Sequence, residues 1–328
     1  MNPNLKMVLL LVGVGAFAQG LSVVMPEYYA TILMFAGINA ILAVSLNVVN
    51  GLSGQFSLGH AGFMAVGAYV AAAVDVYLFP SWQGHVAGEQ AALVLSLIAG
   101  AAASGLVGYL VGLPALRLRG DYLAIATLGV GEIIRVAILN IDAVGAARGF
   151  TGIPPTTSAF LIYFFLALCV AGTHRLMTST HGRALLSVRE DETAASALGV
   201  NTTEYKVRAF VMSAAAAGVA GGLFAHYLTV INPASFTFMR SVEIVVMVVL
   251  GGMGSISGSL VAALFLTALP EVLRPLQSLT GVDLRMVLYS LLLILVMLLR
   301  PQGLFGRKEI WQLLNDRNHG DSESRRKA

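Results

Sequence analysis

Apolar residues run in long blocks along this 328-residue chain, separated by short polar interruptions. The blocks fall near residues 7–25, 30–49, 59–79, 91–115, 122–140, 158–176, 209–230, 241–252, 258–272 and 284–300. Most approach the roughly 20 residues that a helix needs to cross the hydrocarbon core of a bilayer. A transmembrane barrel would instead alternate polar and apolar positions over short segments. The pattern predicts an all-α integral membrane protein, a polytopic helical bundle of about 8–10 transmembrane segments. The blocks at 241–252 and 258–272 are short. This pair is expected to be broken or re-entrant, because irregular backbone at membrane depth persists only where protein or a water-filled cavity satisfies it. Residues 1–306 then form one transmembrane domain, and 307–328 a polar tail with an interfacial piece around Trp311.

The N-terminus carries a rival pattern. Lys6, the apolar run 7–15 and Ala16-Phe17-Ala18 imitate a cleavable signal. The apolar run continues through Val24, however, so a retained first helix is expected.

Composition agrees with the block pattern. Hydrophobic residues make up 57% of the chain and charged residues 11%, against about 25% charged in soluble domains. An exterior in contact with lipid needs no charge. The single cysteine, Cys169, excludes an internal disulfide or a multi-cysteine metal site and reads as a small buried hydrophobe.

Basic residues orient the spans. With the N-terminus in the cytoplasm and ten crossings, Lys6, Arg117, Arg119, Arg175, Arg183, Arg189, Lys206, Arg208 and the basic residues of the tail lie inside. Arg148, Arg240, Arg274 and Arg285 remain outside. This asymmetry satisfies the positive-inside rule and places both termini in the cytoplasm. It also requires 122–140 to cross, despite Glu132 and Arg135, since dropping it would move the basic 174–208 connector outside.

That connector, THRLMTSTHGRALLSVREDETAASALGVNTTEYKVR, is the one long hydrophilic interior segment. Within it a short helix is predicted over Arg189–Leu198. Glu190, Asp191 and Glu192 favour its N-terminal end and Gly199 stops it. Ala194, Ala195 and Leu198 share a face by spacing.

Enzymatic motifs are missing. None of the four lysines follows a glycine, so there is no phosphate-cradling GxxxxGK[ST] loop. HExxH and GxSxG are absent as well. The polar residues within the spans are the remaining candidates, since an ionisable group at membrane depth is costly. Glu132 and Arg135, at i and i+3, either line a solute path or form an internal ion pair. Glu243 and Arg240 have the spacing of an interfacial pair. His60 lines a pathway or caps a helix end. Asn47, Asn50, Ser53, Gln55 and Ser57 cluster at the inner end of one hairpin. There they bond helices together or, for Gln55 and Ser57, face the path.

Glycine recurs at 51, 54, 59, 62 and 67. In lipid, helices associate by close packing, and small residues let backbones approach. A tightly packed, partly unwound hairpin is expected there. GGMGSISGS at 251–259 shares the G-x-x-G-x-x-S spacing of 51–57. Interrupted apolar segments of this kind point to a transport site, and close packing alone accounts for them equally well.

GLSGQFSLGHAGFMAVGAY at 51–69 resembles the signature of permease subunits from branched-chain amino acid ABC importers, and GDYLAIATLGVGEIIRVAILN at 120–140 resembles a segment of their LivM-type subunit. ARGFTGIP at 147–154 is similar to the family's Gly-rich outer segment but lacks its usual Asn-Gly pair. The resemblance implies a permease domain in the bacterial inner membrane. It also implies a second permease subunit, two cytoplasmic ATPase subunits and a periplasmic substrate-binding protein. ATP is then used by the partners, and neither a cofactor in this chain nor a nucleic-acid partner is expected. The family's coupling motif reads Glu-Ala-Ala, three residues, then Gly. Ala194, Ala195 and Gly199 match it, Thr193 stands at the glutamate position and Glu192 one residue early. The coupling loop is therefore placed at about 177–208, with Arg183, Arg189, Glu192, Ala194, Ala195 and Gly199 as its candidate residues. Gln55, Ser57, His60, Glu132 and Arg135 are the candidate pathway residues. Composition also admits a self-contained secondary transporter or channel, and related importers carry urea, amides or other amino acids.

Overall fold

The computed structural model describes residues 3–82, 86–116 and 120–274, and beyond them 290–291, 294–295, 298–299, 302–306 and 309. The predicted crossing at 284–300 is thus described only in part. The tail, with Trp311, lies outside the described residues except at Glu309, as do Arg117 and Arg119.

Eleven α-helices are described: α1 Pro3–Val24, α2 Glu27–Asn47, α3 His60–Leu78, α4 Val86–Ala115, α5 Asp121–Leu139, α6 Ala159–Thr178, α7 Thr180–Glu190, α8 Glu192–Ala197, α9 Thr202–Leu228, α10 Phe238–Gly251 and α11 Ile256–Val272. Among the described residues the only β-pairing is an isolated bridge between Phe150 and Ile231. Among the described residues six stretches are long and apolar enough to cross a membrane: Glu27–Leu52, His60–Leu78, Gly88–Ala115, Tyr122–Leu139, Ala159–Thr178 and Thr202–Leu228. The stretch carrying Glu132 and Arg135 is one of them. The 241–272 region is two short helices, α10 and α11, packed on each other and broken at 252–255.

Helix ends follow local chemistry. Pro26 precedes α2, where a missing N–H costs nothing. Ser158 Oγ accepts from Leu161 N at 3.4 Å to start α6, and Asn201 Oδ1 accepts from Glu204 N at 3.3 Å to start α9.

The connector departs from the single helix expected over Arg189–Leu198. It forms two helices that meet at Asp191. The Asp191 carboxylate accepts from Thr193 N at 2.8 Å and Ala194 N at 3.0 Å, so it caps α8 and ends α7. Arg189 therefore belongs to the last turn of α7, where a cation suits the helix dipole. Gly199, at φ +85°, stops the segment as expected. Ala195 is buried while Ala194 and Leu198 are exposed, so the three do not present one common surface. Six residues give under two turns, and Ala195 turns onto the body of the protein.

The centre is the crossing of α3, α4 and α9, built on glycine. Gly67 of α3 faces Gly218 of α9 backbone to backbone, and Gly221 of α9 lies on the Met64 carbonyl. Met64, Leu93, Leu97 and Leu223 are fully enclosed around them, and the Phe63 and Phe210 rings meet edge to face at 5.3 Å. Such contact replaces the hydrophobic drive that lipid removes. α2 packs on α6, α9 and α11 and is largely buried. α5 and α6 leave most of their apolar side chains outward.

A buried polar pair also lies inside this core. His226 Nε2 of α9 is 2.9 Å from the Asp75 carboxylate of α3, with both side chains at most 2% exposed. His226 Nδ1 is 2.8 Å from the Gly222 carbonyl oxygen, which can only accept, so Nδ1 carries a proton. Removing one partner of a buried pair costs about 3–5 kcal/mol, because the other is left uncompensated. Asp75→Leu is expected to destabilise by that amount and Asp75→Asn, which still hydrogen-bonds, by less. The midpoint of thermal unfolding in detergent checks the order.

Candidate functional site

Two helix breaks meet at the end of the bundle where the connector lies. At the first, the last turn of α2 widens into a π turn over Val48–Leu52, and residues 53–59 run irregularly before α3 begins. Most of this segment is buried, so its backbone depends on side chains. Asn50 Oδ1 accepts from Ser57 N at 3.2 Å, Thr127 Oγ1 of α5 accepts from Leu58 N at 3.0 Å, and Ser241 Oγ of α10 accepts from Ala61 N at 3.0 Å.

The second break, at 252–255, is held by Asn47 of α2. Its Oδ1 accepts from Gly254 N at 2.8 Å and its Nδ2 donates to the Ser255 carbonyl at 2.9 Å. A β-carbon on Gly51 would overlap Gly254 N, so the two turns touch through their backbones. Gly254 sits at φ +98°, a conformation open to glycine. Thus the two segments of shared G-x-x-G-x-x-S spacing lie face to face. The N-terminus of α11 is further closed by Glu309, whose carboxylate accepts from Ile256 N at 2.8 Å, Ser257 N at 3.1 Å and Ser257 Oγ at 2.6 Å. An anion suits that end of the helix.

One side chain of the connector reaches both breaks. The Arg189 stem lies over Gly54, where a β-carbon would come within 2.7 Å of Cγ. Its Nη1 donates to the Gly51 carbonyl at 2.9 Å and lies beside Gly254. Its Nε and Nη2 donate to Glu190 at 3.1 and 2.6 Å. Glu192 anchors the next helix, 2.7 Å from Lys206 Nζ of α9. Arg189 thus ties α7 to the turn that follows α2 and sits beside the second break, while Glu192 ties α8 to α9.

The candidate residues fall into separate groups. Gln55, Ser57 and His60 share the first break and are buried. His60 Nε2 lies 2.9 Å from Ser45 Oγ. Gln55 Oε1 and Asn50 Nδ2 lack hydrogen-bond partners although buried. Glu132 and Arg135 lie elsewhere, paired at 2.7 Å, and Glu132 also accepts from Phe238 N at 3.2 Å, so it fastens the start of α10 to α5. Arg183 and Ala194 are exposed on the connector. Asp75 and His226 escape a reading by motif. The legible signal was a carboxylate within the apolar 59–79 block. Glu309, far along a polar tail, carries no such signal.

A family model described as "Branched-chain amino acid transport system / permease component" matches residues 28–297. The high-affinity branched-chain amino acid transport system permease protein LivM of Salmonella typhimurium is 37% identical over 299 residues, covering 80% of this chain and 67% of that protein. LivH of Escherichia coli is 30% identical over 300 residues, covering 84% of this chain and 96% of its own length. BraD of Pseudomonas aeruginosa is 28% identical over 315 residues, covering 87% and 99%. No solved structure is significantly similar.

Proposed function

Because the chain belongs to the family of branched-chain amino acid transport permeases, we propose that it forms half of a translocation pathway for those amino acids, paired with a second permease subunit in the bacterial inner membrane. Two cytoplasmic ATPase subunits dock on α7 and α8, and a periplasmic binding protein delivers the substrate. This chain performs no catalysis and holds no cofactor of its own; nucleotide chemistry resides in the partners. The termini and the connector face the cytoplasm.

The observation that carries the reading is the Arg189 link between the connector and the two helix breaks. A docked ATPase that shifts α7 and α8 shifts the ends of two pathway helices together. Leu198, 83% exposed at the tip of α8, and Ala194 offer the docking surface. Selection by the binding protein leaves the path free to hold substrate weakly, so release is not slowed.

The complex reconstituted in proteoliposomes is expected to accumulate leucine only with ATP and the ATPase subunits. Uptake by the permeases alone would overturn the proposal and leave a self-contained carrier. Ala194→Arg is expected to lower ATPase association at least tenfold, the scale of a like charge or lost contact at a small interface, with normal expression. Ala195→Arg should also impair folding, since Ala195 is only 2% exposed. A cysteine at position 194, in a Cys169→Ala background, should react with an impermeant maleimide only after the membrane is opened. Labelling from the periplasm would place the connector on the wrong side.

A further inference from the structure

A cavity of about 410 Å³ lies between α2, α9, α10 and α11, away from the helix breaks. Ser235 and Glu271 also line it, Glu271 bonding outward to Tyr28 and Arg274, and the other four polar residues form a connected line. Arg240 Nη1 donates to Glu243 at 2.8 Å and Nη2 to Asn39 Oδ1 at 2.5 Å. Asn39 Nδ2 donates to Thr267 Oγ1 at 2.8 Å. Phe35, Phe224, Met247 and Leu266 supply an apolar wall.

This site lies within the bundle. Asn39 is 4% exposed and about two turns from the inner end of α2. Arg240 reaches it because α10 is only 14 residues long and starts deep. An ion pair at such depth is expensive unless it serves a ligand or a conformational change. Its exposure is uneven: the Glu243 side chain is 51% exposed and that of Arg240 19%. The carboxylate therefore faces the open space, while the guanidinium is held from behind by Asn39. Arginine has five N–H donors, and the two bonds to Glu243 and Asn39 engage two of them.

A cation and an anion side by side, opposite an apolar wall, match a zwitterion that carries an aliphatic side chain. The volume falls within the usual range for small-ligand sites. Urea or a small amide would leave the apolar wall wet and the paired charges without counterparts. We infer that this cavity is a transit subsite for an aliphatic amino acid, with Arg240 receiving the carboxylate and Glu243 the ammonium. The inference rests on the transport reading above and adds to it the residues that meet the solute.

The test uses the reconstituted complex with its binding protein and ATPases, and reads leucine moved per ATP hydrolysed. Arg240→Gln and Glu243→Gln are each expected to lower that ratio about tenfold, the scale of one lost charge-assisted hydrogen bond. Stimulation of ATP hydrolysis by the loaded binding protein should persist, and Arg240→Lys should retain more transport than Arg240→Gln. An unchanged ratio in both glutamine variants overturns the subsite. Failure of the transport reading looks different: the unaltered complex would then show no stimulated hydrolysis. A second measurement covers variants that fail to assemble. Ser235 is exposed and lines the cavity. In a Cys169→Ala background, Ser235→Cys should be modified more slowly by a small thiol reagent when millimolar leucine is present. Leucinol, which lacks the carboxylate, should protect poorly. Equal rates with and without leucine overturn the inference.

Discussion

Gly221→Leu is expected to abolish accumulation of the folded chain in the membrane. A β-carbon there would overlap the Met64 carbonyl oxygen and come within 2.9 Å of Ala68 N. Both are backbone atoms of α3, so no side-chain rotation relieves the clash. Overpacking a core usually costs about 1–3 kcal/mol when side chains can yield. Here the helix itself must move, and α3, α4 and α9 would separate. Separation also disturbs Gly67 against Gly218 and the nearby His226–Asp75 contact. Membrane-inserted protein resistant to detergent aggregation, quantified by size-exclusion chromatography, reads the effect. Gly129→Leu is the matched control, since nothing lies within 4 Å of a β-carbon at that position. Its normal accumulation, beside loss of Gly221→Leu, is the expected pair of results. Equal accumulation of the two would show that close backbone contact does not hold this crossing together.

Arg189→Ala is expected to leave folding intact and to uncouple hydrolysis from uptake. Arg189 lies at the end of α7, largely covered but outside the hydrophobic core and away from the glycine crossings of α3, α4 and α9. What is lost is the bond to the Gly51 carbonyl and the stem packed over Gly54. A charge-assisted hydrogen bond contributes about 1.5–3 kcal/mol, close to the 1–3 kcal/mol, or about 5–150-fold, typical of coupling between sites. Uptake should fall at least tenfold in proteoliposomes, on that same scale, while ATP hydrolysis by the assembled complex continues. Arg189→Lys keeps the stem and the charge but not the planar fork. It should fall between the two. Undiminished uptake in Arg189→Ala would mean that force reaches α2 and α10 by another route.

Much of this molecule was legible in the order of its residues. Long apolar blocks mark helices at membrane depth because lipid offers no hydrogen bonds to an open backbone. The segments containing Glu132 and Arg135 could be counted as crossing from the distribution of arginines alone, and helix α5 spans them. The short pair near 241–272 was visible from block length and a glycine cluster, and it folds as α10 and α11. GLSGQFSLGHAGFMAVGAY and GDYLAIATLGVGEIIRVAILN carried the family resemblance, which the match over residues 28–297 bears out. The connector was less legible. Three consecutive acidic residues suit the start of a helix equally well, and only the hydrogen bonds of Asp191 select it over Glu190 as the cap.

What sequence determined by itself is the set of elements and their environment, because both depend on local periodicity and on transfer from water to lipid. What tertiary structure alone decided is which elements touch. Residues 51 and 254 share a spacing in the sequence, but their contact exists only once α2 and α10 pack side by side. Arg240 reads as an end-of-helix residue until the depth of α10 brings it to Asn39. Asp75 and His226 are far apart along the chain, and the crossing of α3 and α9 makes them a pair. The reason is physical: lipid rewards burial of any apolar face almost equally, so close steric fit and a few directional bonds choose the partners.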